Sequence, residues 1–511
     1  MTSTIITEEK PKFGKWRQLL FPIYMHELKK LVPSALVFLC ISFNYSLLRG
    51  LKDVYVYNTM TSSSIYALKV LVMPSVILFT IAYTFIAKRV NRDVRFNIVI
   101  AYFLVFFFLF YTVLLPNCDS LQLLGLSTYL SNELPMYFHW WDCIRVWPVS
   151  LFYIHAEIWG TLVLGVSYWT FMNEIISSAE ANRVYPFLMV GAGVGGILSG
   201  IFLFFFSAHS DLQIEVVLCL ILCILSFYNI LARNIAKDPA GYNIEPKIKK
   251  PKVRLSFLQS IKFLLTSRYL LLLTCIVFGY NMFIVFLESV WKGRVGVYSD
   301  FLKNDYLEHY KSATEALAKA YSKQTISKIY GLQSFLTGVF SLFWIFFVSG
   351  SVSKKKWKFT ALFTPVLALV SSLMFYMLYT FRDVWGAHCD KGTSLYLIVI
   401  FGLIILCFIK SSKYVFFDTS KERAYIPLDE ESKTNGKAAI DAIGSRLAKG
   451  ISAVGISGIL VPKFDGLDQI VNISFSLVSI LIVLWILSVL ALSPEYEKLN
   501  AKESADKSKA S

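Results

Sequence analysis

The sequence predicts an all-α membrane protein with about twelve transmembrane helices, and its composition and its pattern of apolar runs are the grounds for this. Of 511 residues, 56% are hydrophobic and only 16% are charged, an excess of apolar side chains that a water-soluble chain of this length would not bury. The apolar residues fall in runs long enough to cross a hydrocarbon core of about 30 Å as helices. The runs lack the alternation of apolar and polar residues that is typical of membrane β-barrels.

The charged residues between the runs predict the orientation of the chain. The apolar runs span residues 31–51, 65–87, 97–116, 146–173, 184–206, 214–232, 270–292, 326–350, 359–380, 394–417, 438–462 and 470–492. Lysine and arginine are concentrated in the gaps after the second, sixth and eighth runs. Because cytoplasmic loops carry this excess, both termini are expected in the cytoplasm, with the chain passing repeatedly through a cytoplasmic-type inner membrane. The net charge of +16 is therefore interpreted as a topology signal and not as a nucleic-acid surface.

The longest basic connector divides the runs into two groups of six. The predicted organisation is a cytoplasmic N-terminal segment, a six-helix half, a basic cytoplasmic linker, a second six-helix half and a cytoplasmic tail, at 1–30, 31–232, 233–269, 270–492 and 493–511. This arrangement resembles major-facilitator transporters. In that architecture two halves rock around a central site, so that the site opens alternately to each side of the membrane. The fold class is therefore major-facilitator-like.

Arg49 and Lys52 stand at the end of the first apolar run, one helical turn apart. A charge near bilayer depth costs at least about 2.5 kcal/mol unless it is paired, hydrated or extended to the headgroups. One interpretation is that both cations reach the headgroups at a helix end. The other is that they face a water-filled path and attract an anion.

Further charged residues within the apolar runs favour the second interpretation. Glu288 and Lys292 end the seventh run at a depth that corresponds to Arg49 and Lys52, and Glu157 lies well inside the fourth run. Charges at matching positions of two halves point to a site near the middle of the membrane. The buried carboxylates would need cations as partners, or would carry a proton.

Arg446 and Lys449 form a second cation pair, again one turn apart, in the eleventh run. Together with Arg49 and Lys52 they are predicted to form a cationic site for a polyanion, with the carboxylates of Glu157 and Glu288 holding the cations when the substrate is absent. Arginine suits forked contacts with phosphate, and lysine supplies a point charge.

Several of these segments carry a family resemblance. RGLKD at 49–53, AEIWGT at 156–161, ESVWK at 288–292 and, above all, KYVFFDTSKERAYIPLD at 413–429, continued by GKAAID at 436–441, resemble the non-mitochondrial ATP/ADP translocases of intracellular bacteria and plastids. The resemblance covers residues from about 21 to 497. It implies that the polyanion is a nucleotide, ATP, ADP or another nucleoside triphosphate. It also implies that Lys52, Glu157, Glu288 and Lys449 are the charged positions that matter for transport.

Two departures from the family pattern leave the mode of transport open. Val285 stands where exchangers of this family tend to have asparagine, and Gly193 lies where they tend to have Gly-Ala-Asn or a close variant. Without the asparagine side chain, the site lacks an amide that could form a hydrogen bond with the base or ribose of a nucleotide. Glycines 191, 195 and 196 are interpreted as packing residues. The alternative functions are proton-coupled net import of nucleoside triphosphates and transport of a different organic anion. A membrane enzyme would need an acidic metal-binding motif, which the sequence lacks.

The remaining expectations concern partners and two polar segments. No cofactor, metal or nucleic acid is expected, and the partners are the nucleotide, the lipid bilayer and, in a proton-coupled form, the proton. The chain is expected to act as a monomer. The polar insert at 297–324 is interpreted as a solvated loop with a short surface helix near 313–320, and the tail after Pro494 as disordered.

Overall fold

The computed structural model describes residues 24–176, 178–239, 267–310, 314–348, 356–428, 436–440, 447–463 and 467–510, together with isolated positions 242, 264, 312, 444 and 445. These residues form helices joined by short turns, and no strand occurs among them. Eleven of the helices are long and apolar enough to cross a membrane. The predicted all-α membrane fold is therefore confirmed.

Twelve helices build the bundle, and we number them in chain order. Their bounds are α1 Leu28–Thr59, α2 Ser64–Ala87, α3 Arg92–Leu114, α4 Trp147–Ile175, α5 Ser178–Phe205, α6 Ser210–Lys237, α7 Arg268–His309, α8 Glu315–Phe347, α9 Trp357–Thr380, α10 Lys391–Tyr425, α11 Ala448–Gly455 and α12 Leu467–Ala510. Short helices Leu124–Glu133 and Phe138–Arg145 lie between α3 and α4. We call α1–α6 the N-terminal half and α7–α12 the C-terminal half.

The outward faces of the bundle are apolar. On α2, for example, Ile77, Leu78, Ile81 and Phe85 are all exposed, and their spacing places them on one side of the helix. An apolar surface of this extent is unfavourable in water but matches lipid chains. The interior holds the large aromatic side chains, including the fully buried Trp159, Trp291 and Trp485.

The first and seventh helices continue well beyond their apolar runs. α1 extends to Thr59 and α7 to His309, whereas the sequence prediction ended them near 51 and 292. Arg49, Lys52, Glu288 and Lys292 therefore lie in the middle of long helices. The interpretation that placed the first two cations at a helix end is wrong, because charge ends an apolar run without interrupting the backbone hydrogen bonds of the helix.

Most of the described part of the insert at 297–324 is helical, at 297–309 and 315–324, which corrects its interpretation as a loop. α7 continues through it to His309, and α8 begins at Glu315, capped by the Thr314 hydroxyl. The two extensions pack together, with Ser299 Oγ 2.8 Å from Ser322 Oγ. The short helix expected near 313–320 is thus the first part of a membrane helix. Polarity alone does not distinguish a loop from an exposed helical extension.

The C-terminal tail is also helical. α12 runs through Pro494 to Ala510, whereas the sequence prediction made the tail disordered. The residues after Pro494 are rich in alanine, lysine and glutamate, which are strong helix formers. A helix already formed in the membrane removes the nucleation cost, so these residues extend it.

Glycines allow α5 of the N-terminal half to pack directly on α8 of the C-terminal half. A Cβ atom added at Gly200 would lie 2.5 Å from the Gly331 carbonyl oxygen, and one added at Gly338 would lie 2.6 Å from the Gly193 carbonyl oxygen. Gly195 approaches α1 in the same way, 3.0 Å from the Leu39 carbonyl oxygen. The interpretation as a packing residue is thus confirmed for Gly195, where a side chain would be too close to the backbone of α1. At Gly191 and Gly196 an added Cβ atom would meet its neighbours at ordinary contact distances of 3.7 Å and 3.6 Å.

We expect Gly200→Ala to lower the thermal stability of the protein, by about 1–3 kcal/mol, because its methyl group would meet backbone atoms that cannot turn aside. Gly455→Ala is the matched control, since the space around that Cβ position is open to 4 Å. Thermal unfolding of the detergent-solubilised variants measures both. Equal stability of the two variants would contradict this account of the packing.

The two halves contact each other closely at one end of the bundle, which we call the closed end. Two tyrosine hydroxyls of the N-terminal half donate to carbonyls of α7, Tyr57 to Lys292 and Tyr66 to Ser289, both at 2.9 Å. Two further hydrogen bonds join the Lys303 ammonium to the Tyr57 carbonyl (2.9 Å) and the His139 ring to the Ser457 carbonyl (3.0 Å). Ser62 packs against Gly296 at the same end. At the opposite end the ion pairs join residues within one half, such as Arg92 with Glu174 and Arg268 with Glu495. The described hydrogen bonds between the halves thus lie toward one end, whereas the packing of α5 on α8 continues along the bundle.

Candidate functional site

A chain of ion pairs crosses the middle of the bundle and begins in the N-terminal half. The Lys52 ammonium of α1 lies 3.1 Å from Glu157 Oε1 of α4 and 3.0 Å from Oδ1 of its neighbour Asp53. It also lies 3.9 Å from the centre of the Tyr153 ring. A buried ammonium is tolerated only when its charge is compensated in this way.

The chain of ion pairs continues into the C-terminal half through Asp53. Its Oδ2 lies 2.7 Å from the Lys292 ammonium of α7, which in turn lies 3.2 Å from Glu288 Oε1. Oε2 of Glu288 then contacts the Lys410 ammonium of α10 at 2.8 Å and Arg49 Nη2 of α1 at 3.5 Å. Two of these ion pairs, Lys292 with Asp53 and Arg49 with Glu288, join the two halves directly.

Two more lysines lie at the edge of this network. The Lys69 ammonium of α2 donates to Ser289 Oγ at 3.3 Å and lies close enough to Glu288 and Asp53 to interact with both electrostatically. Lys449 of α11 is exposed and interacts in the same way with Glu157, Glu288 and Arg49. Both cations therefore face the ion pairs from further helices.

The charged side chains of the network become less exposed along α1 and along α7 toward the closed end. On α1 the Arg49 side chain is 31% exposed and Lys52 only 1%, and on α7 Glu288 is 17% exposed and Lys292 3%. Glu157, at 36%, is the most exposed of the three carboxylates. Since the buried members lie nearer the closed end, solvent reaches the network from the opposite end.

The network has more cations than carboxylates. Its members are Arg49, Lys52, Lys69, Lys292, Lys410 and Lys449, against Asp53, Glu157 and Glu288. The formal surplus is three positive charges, held in a low-dielectric interior where electrostatic interactions are strong. Such a site attracts an anion with several negative charges.

The structure brings together six of the seven predicted site residues. Arg49, Lys52, Glu157, Glu288 and Lys292 are joined by ion pairs, and Lys449 faces them. Arg446, the seventh, lies outside the described residues.

The sequence prediction gave no role to three members of the network, which are Asp53, Lys69 and Lys410. Asp53 is adjacent to Lys52, and the two lysines lie within the second and tenth apolar runs. A charge within an apolar run was the signal that identified Glu157, so the same signal was available for these lysines.

The two departures from the family pattern lie at different places. Val285 is one turn before Glu288 on α7 and packs on the hydrophobic core. A Cβ atom added at Gly193 would lie 2.8 Å from Leu342 Cδ2 of α8. Gly193 is thus part of the packing between the halves, where a larger side chain would collide with α8.

The charged network lies in the middle of the membrane helices, joins the two halves and is accessible from one end. These features define the class of the protein as a membrane transporter of a charged solute. The family model described as TLC ATP/ADP transporter matches residues 6–496. The chain belongs to this family. It is a family of transporters, which excludes the alternative of a membrane enzyme.

Relatives from two genera of bacteria align with nearly the whole chain. ADP,ATP carrier protein 1 of Chlamydia trachomatis is 36% identical, over 89% of this chain and 86% of its own length. ADP,ATP carrier protein 3 of Rickettsia bellii is 30% identical, over 96% of this chain and 99% of its own. Among solved structures, a D-xylose–proton symporter aligns with 91% of this chain and 97% of its own at 12% identity, with a TM-score of 0.49.

Proposed function

We propose that this protein exchanges ATP and ADP across a bacterial inner membrane by alternating access. The observation that carries the proposal is the formal surplus of three positive charges in the central network, six cations against three carboxylates, which matches the several negative charges of a nucleotide's phosphates. Membership of the TLC ATP/ADP transporter family supports the same solute. A carrier of a different organic anion is disfavoured by that membership.

The more exposed cations make the first contacts with the phosphates in this proposal. Arg49 offers a fork of N–H donors, and Lys449 adds a point charge from α11. The phosphates then compete with Glu288 for Arg49 and Lys410. Asp53 and Lys292 lie deeper and hold the two halves together until this competition weakens the ion pairs around them.

The charged connectors support the orientation of the carrier. With both termini in the cytoplasm, as the distribution of lysine and arginine favours, the closed end faces away from the cytoplasm and the site is open to the cytoplasm. The protein would act as a monomer, since each chain supplies both halves of the site. The solute is then released or bound on the cytoplasmic side in the state described here.

Proton-coupled import of nucleoside triphosphates is the second candidate, and Glu157 is the observation that favours it. Its carboxylate is the most exposed of the three and has one ion partner within 4.0 Å among the described residues, Lys52. Protonation of Glu157 would leave Lys52 with Asp53 as its described ion partner and make its ammonium more available to the phosphates. A proton would then accompany the nucleotide in place of a counter-transported nucleotide.

Uptake of labelled ATP, GTP, CTP and UTP by bacterial cells that express the protein tests both candidates. For exchange, we expect ATP uptake that survives an uncoupler and depends on internal ADP, with labelled ADP released from preloaded cells. For proton coupling, uptake would collapse with the uncoupler and would not need internal nucleotide. Absence of uptake of every nucleotide by a correctly inserted protein would reject both.

A further inference from the structure

A polar cavity lies at the closed end, apart from the central ion pairs. Its volume is about 340 Å³, within the range of small-molecule sites. The C-terminal end of α1 and the turn between α5 and α6 form one wall, and the first turns of α8 form the other. Its polar lining consists of Asn58, Ser207, Ser210, Lys319, Lys323 and Gln324.

The cavity has the chemistry of an anion site. Lys319 and Lys323 stand one turn apart on α8 and face the same side. Among the described residues, the ion partner of the Lys319 ammonium is the exposed Glu315 of its own helix, at 2.7 Å, and a pair of this kind holds its members weakly. The Lys323 ammonium lies 4.9 Å from the centre of the Tyr55 ring, and among the described residues no carboxylate lies within 4.0 Å of it.

The wall from the N-terminal half adds hydrogen-bonding groups. The helix α6 begins at Ser210, at the cavity, without a side-chain cap, so its free N–H groups and positive dipole end favour an anion there. Asn58 Oδ1 is buried and has no hydrogen-bond partner among the residues that the structure describes, which costs free energy until a ligand or water supplies one. Asp211, the carboxylate that interacts with Lys323, is exposed.

We propose that this cavity binds a phosphate group and thereby holds the closed end shut. Hydrogen phosphate presents oxygens to both ammonium groups and to the α6 N-terminus, and its hydroxyl can donate to Asn58. The source of the group is either free phosphate or the phosphate tail of a nucleotide. The inference does not rest on which solute the central site carries.

A bound phosphate group would keep the closed end shut because the two walls of the cavity belong to different halves. Asn58, Ser207 and Ser210 belong to the N-terminal half, while Lys319 and Lys323 belong to the C-terminal half. When the halves separate at this end, the two sets of ligands move apart and the site is lost. A ligand that binds one state alone shifts the population toward that state.

A cysteine at Ser62 reports this shift without touching the cavity. Ser62 packs against Gly296 where the halves meet, so a membrane-impermeant maleimide reaches Ser62→Cys when the closed end opens. We expect phosphate at ten times its Kd to slow the labelling about tenfold relative to chloride at equal ionic strength. The reason is that the fraction of molecules with an open closed end falls by the factor 1 + [L]/Kd, where [L] is the phosphate concentration. The chain with Ser62 intact gives the background from its own cysteines.

Substitutions assign the effect to the cavity. The combined change of Lys319→Gln and Lys323→Gln should abolish the protection, and Lys391→Gln, an exposed lysine of the same end, should leave it unchanged. Protection that survives the first pair, or is lost with Lys391→Gln, would overturn the proposal. So would an absence of protection by both phosphate and ATP.

Two ligands distinguish the source of the phosphate group. Free phosphate and ATP are compared in Ser62→Cys that also carries Lys449→Ala, so that the central site contributes little. Protection by phosphate assigns the cavity to the free ion. Protection by ATP alone, and not by adenosine, assigns it to a nucleotide's phosphate tail. Both results support the site, whereas equal protection by adenosine would contradict it.

Discussion

Lys449→Ala is expected to lower nucleotide uptake by about 10- to 100-fold without changing the stability of the protein. The Lys449 side chain is exposed at the centre of the bundle and is available to the substrate. A hydrogen bond to a charged group contributes about 1.5–3 kcal/mol, which corresponds to that loss in affinity. The initial rate of uptake at several ATP concentrations measures it, and the loss should appear mainly in KM.

Two comparisons make this result specific. Lys356→Ala, at an exposed lysine just before α9, should leave uptake unchanged. Lys52→Ala should abolish uptake with insertion into the membrane intact, a larger effect than that of Lys449→Ala, and it should lower stability as well, because it leaves Asp53 and Glu157 without their shared cation. Normal uptake by either Lys449→Ala or Lys52→Ala would remove these lysines from the proposed site.

Asp53→Asn is expected to destabilise the protein by about 3–5 kcal/mol, the range for removal of one partner from a buried ion pair. Its carboxylate lies between two almost fully buried ammonium groups, 3.0 Å from Lys52 and 2.7 Å from Lys292. Without it, Lys292 keeps Glu288 as its one carboxylate partner among the described residues, and one of the two ion pairs that join the halves is lost. Thermal unfolding in detergent measures the change.

A second substitution separates charge from shape at this position. Asp53→Asn combined with Lys292→Met should recover part of the lost stability, since the uncompensated ammonium is then absent. Asp300→Asn is the matched control, because its pair with Lys303 is an exposed contact within one helix and is worth about 1 kcal/mol at most. A double variant that is less stable than Asp53→Asn alone would contradict this interpretation.

The charged residues show what the sequence could predict and what it could not. Glu157 was identified because a carboxylate within an apolar run needs a partner, and the structure supplies Lys52. The partner itself was not predictable, since hydropathy gives the depth of a residue but not the direction in which it faces. Asp53 shows this clearly, because its neighbour Lys52 was identified while its contact with Lys292 depends on how α1 and α7 pack.

The ends of helices were the least predictable part of the fold. α1 and α7 continue eight and seventeen residues beyond the predicted ends of their apolar runs, to Thr59 and His309. Hydropathy follows the environment of the side chains, whereas a helix ends where its backbone hydrogen bonds end. The polar stretches at 297–324 and after Pro494 were misinterpreted for the same reason.

Because the central network has more cations than carboxylates, the empty carrier is expected to respond to the membrane potential. Moving one elementary charge through the whole membrane potential costs about 2.3 kcal/mol per 100 mV. A carrier whose central network has a formal surplus of three positive charges therefore senses voltage whenever its site changes sides without substrate. A bound polyanion cancels most of that charge. Voltage thus acts on the empty form far more than on the loaded form, and transient currents in the absence of nucleotide would be its signature.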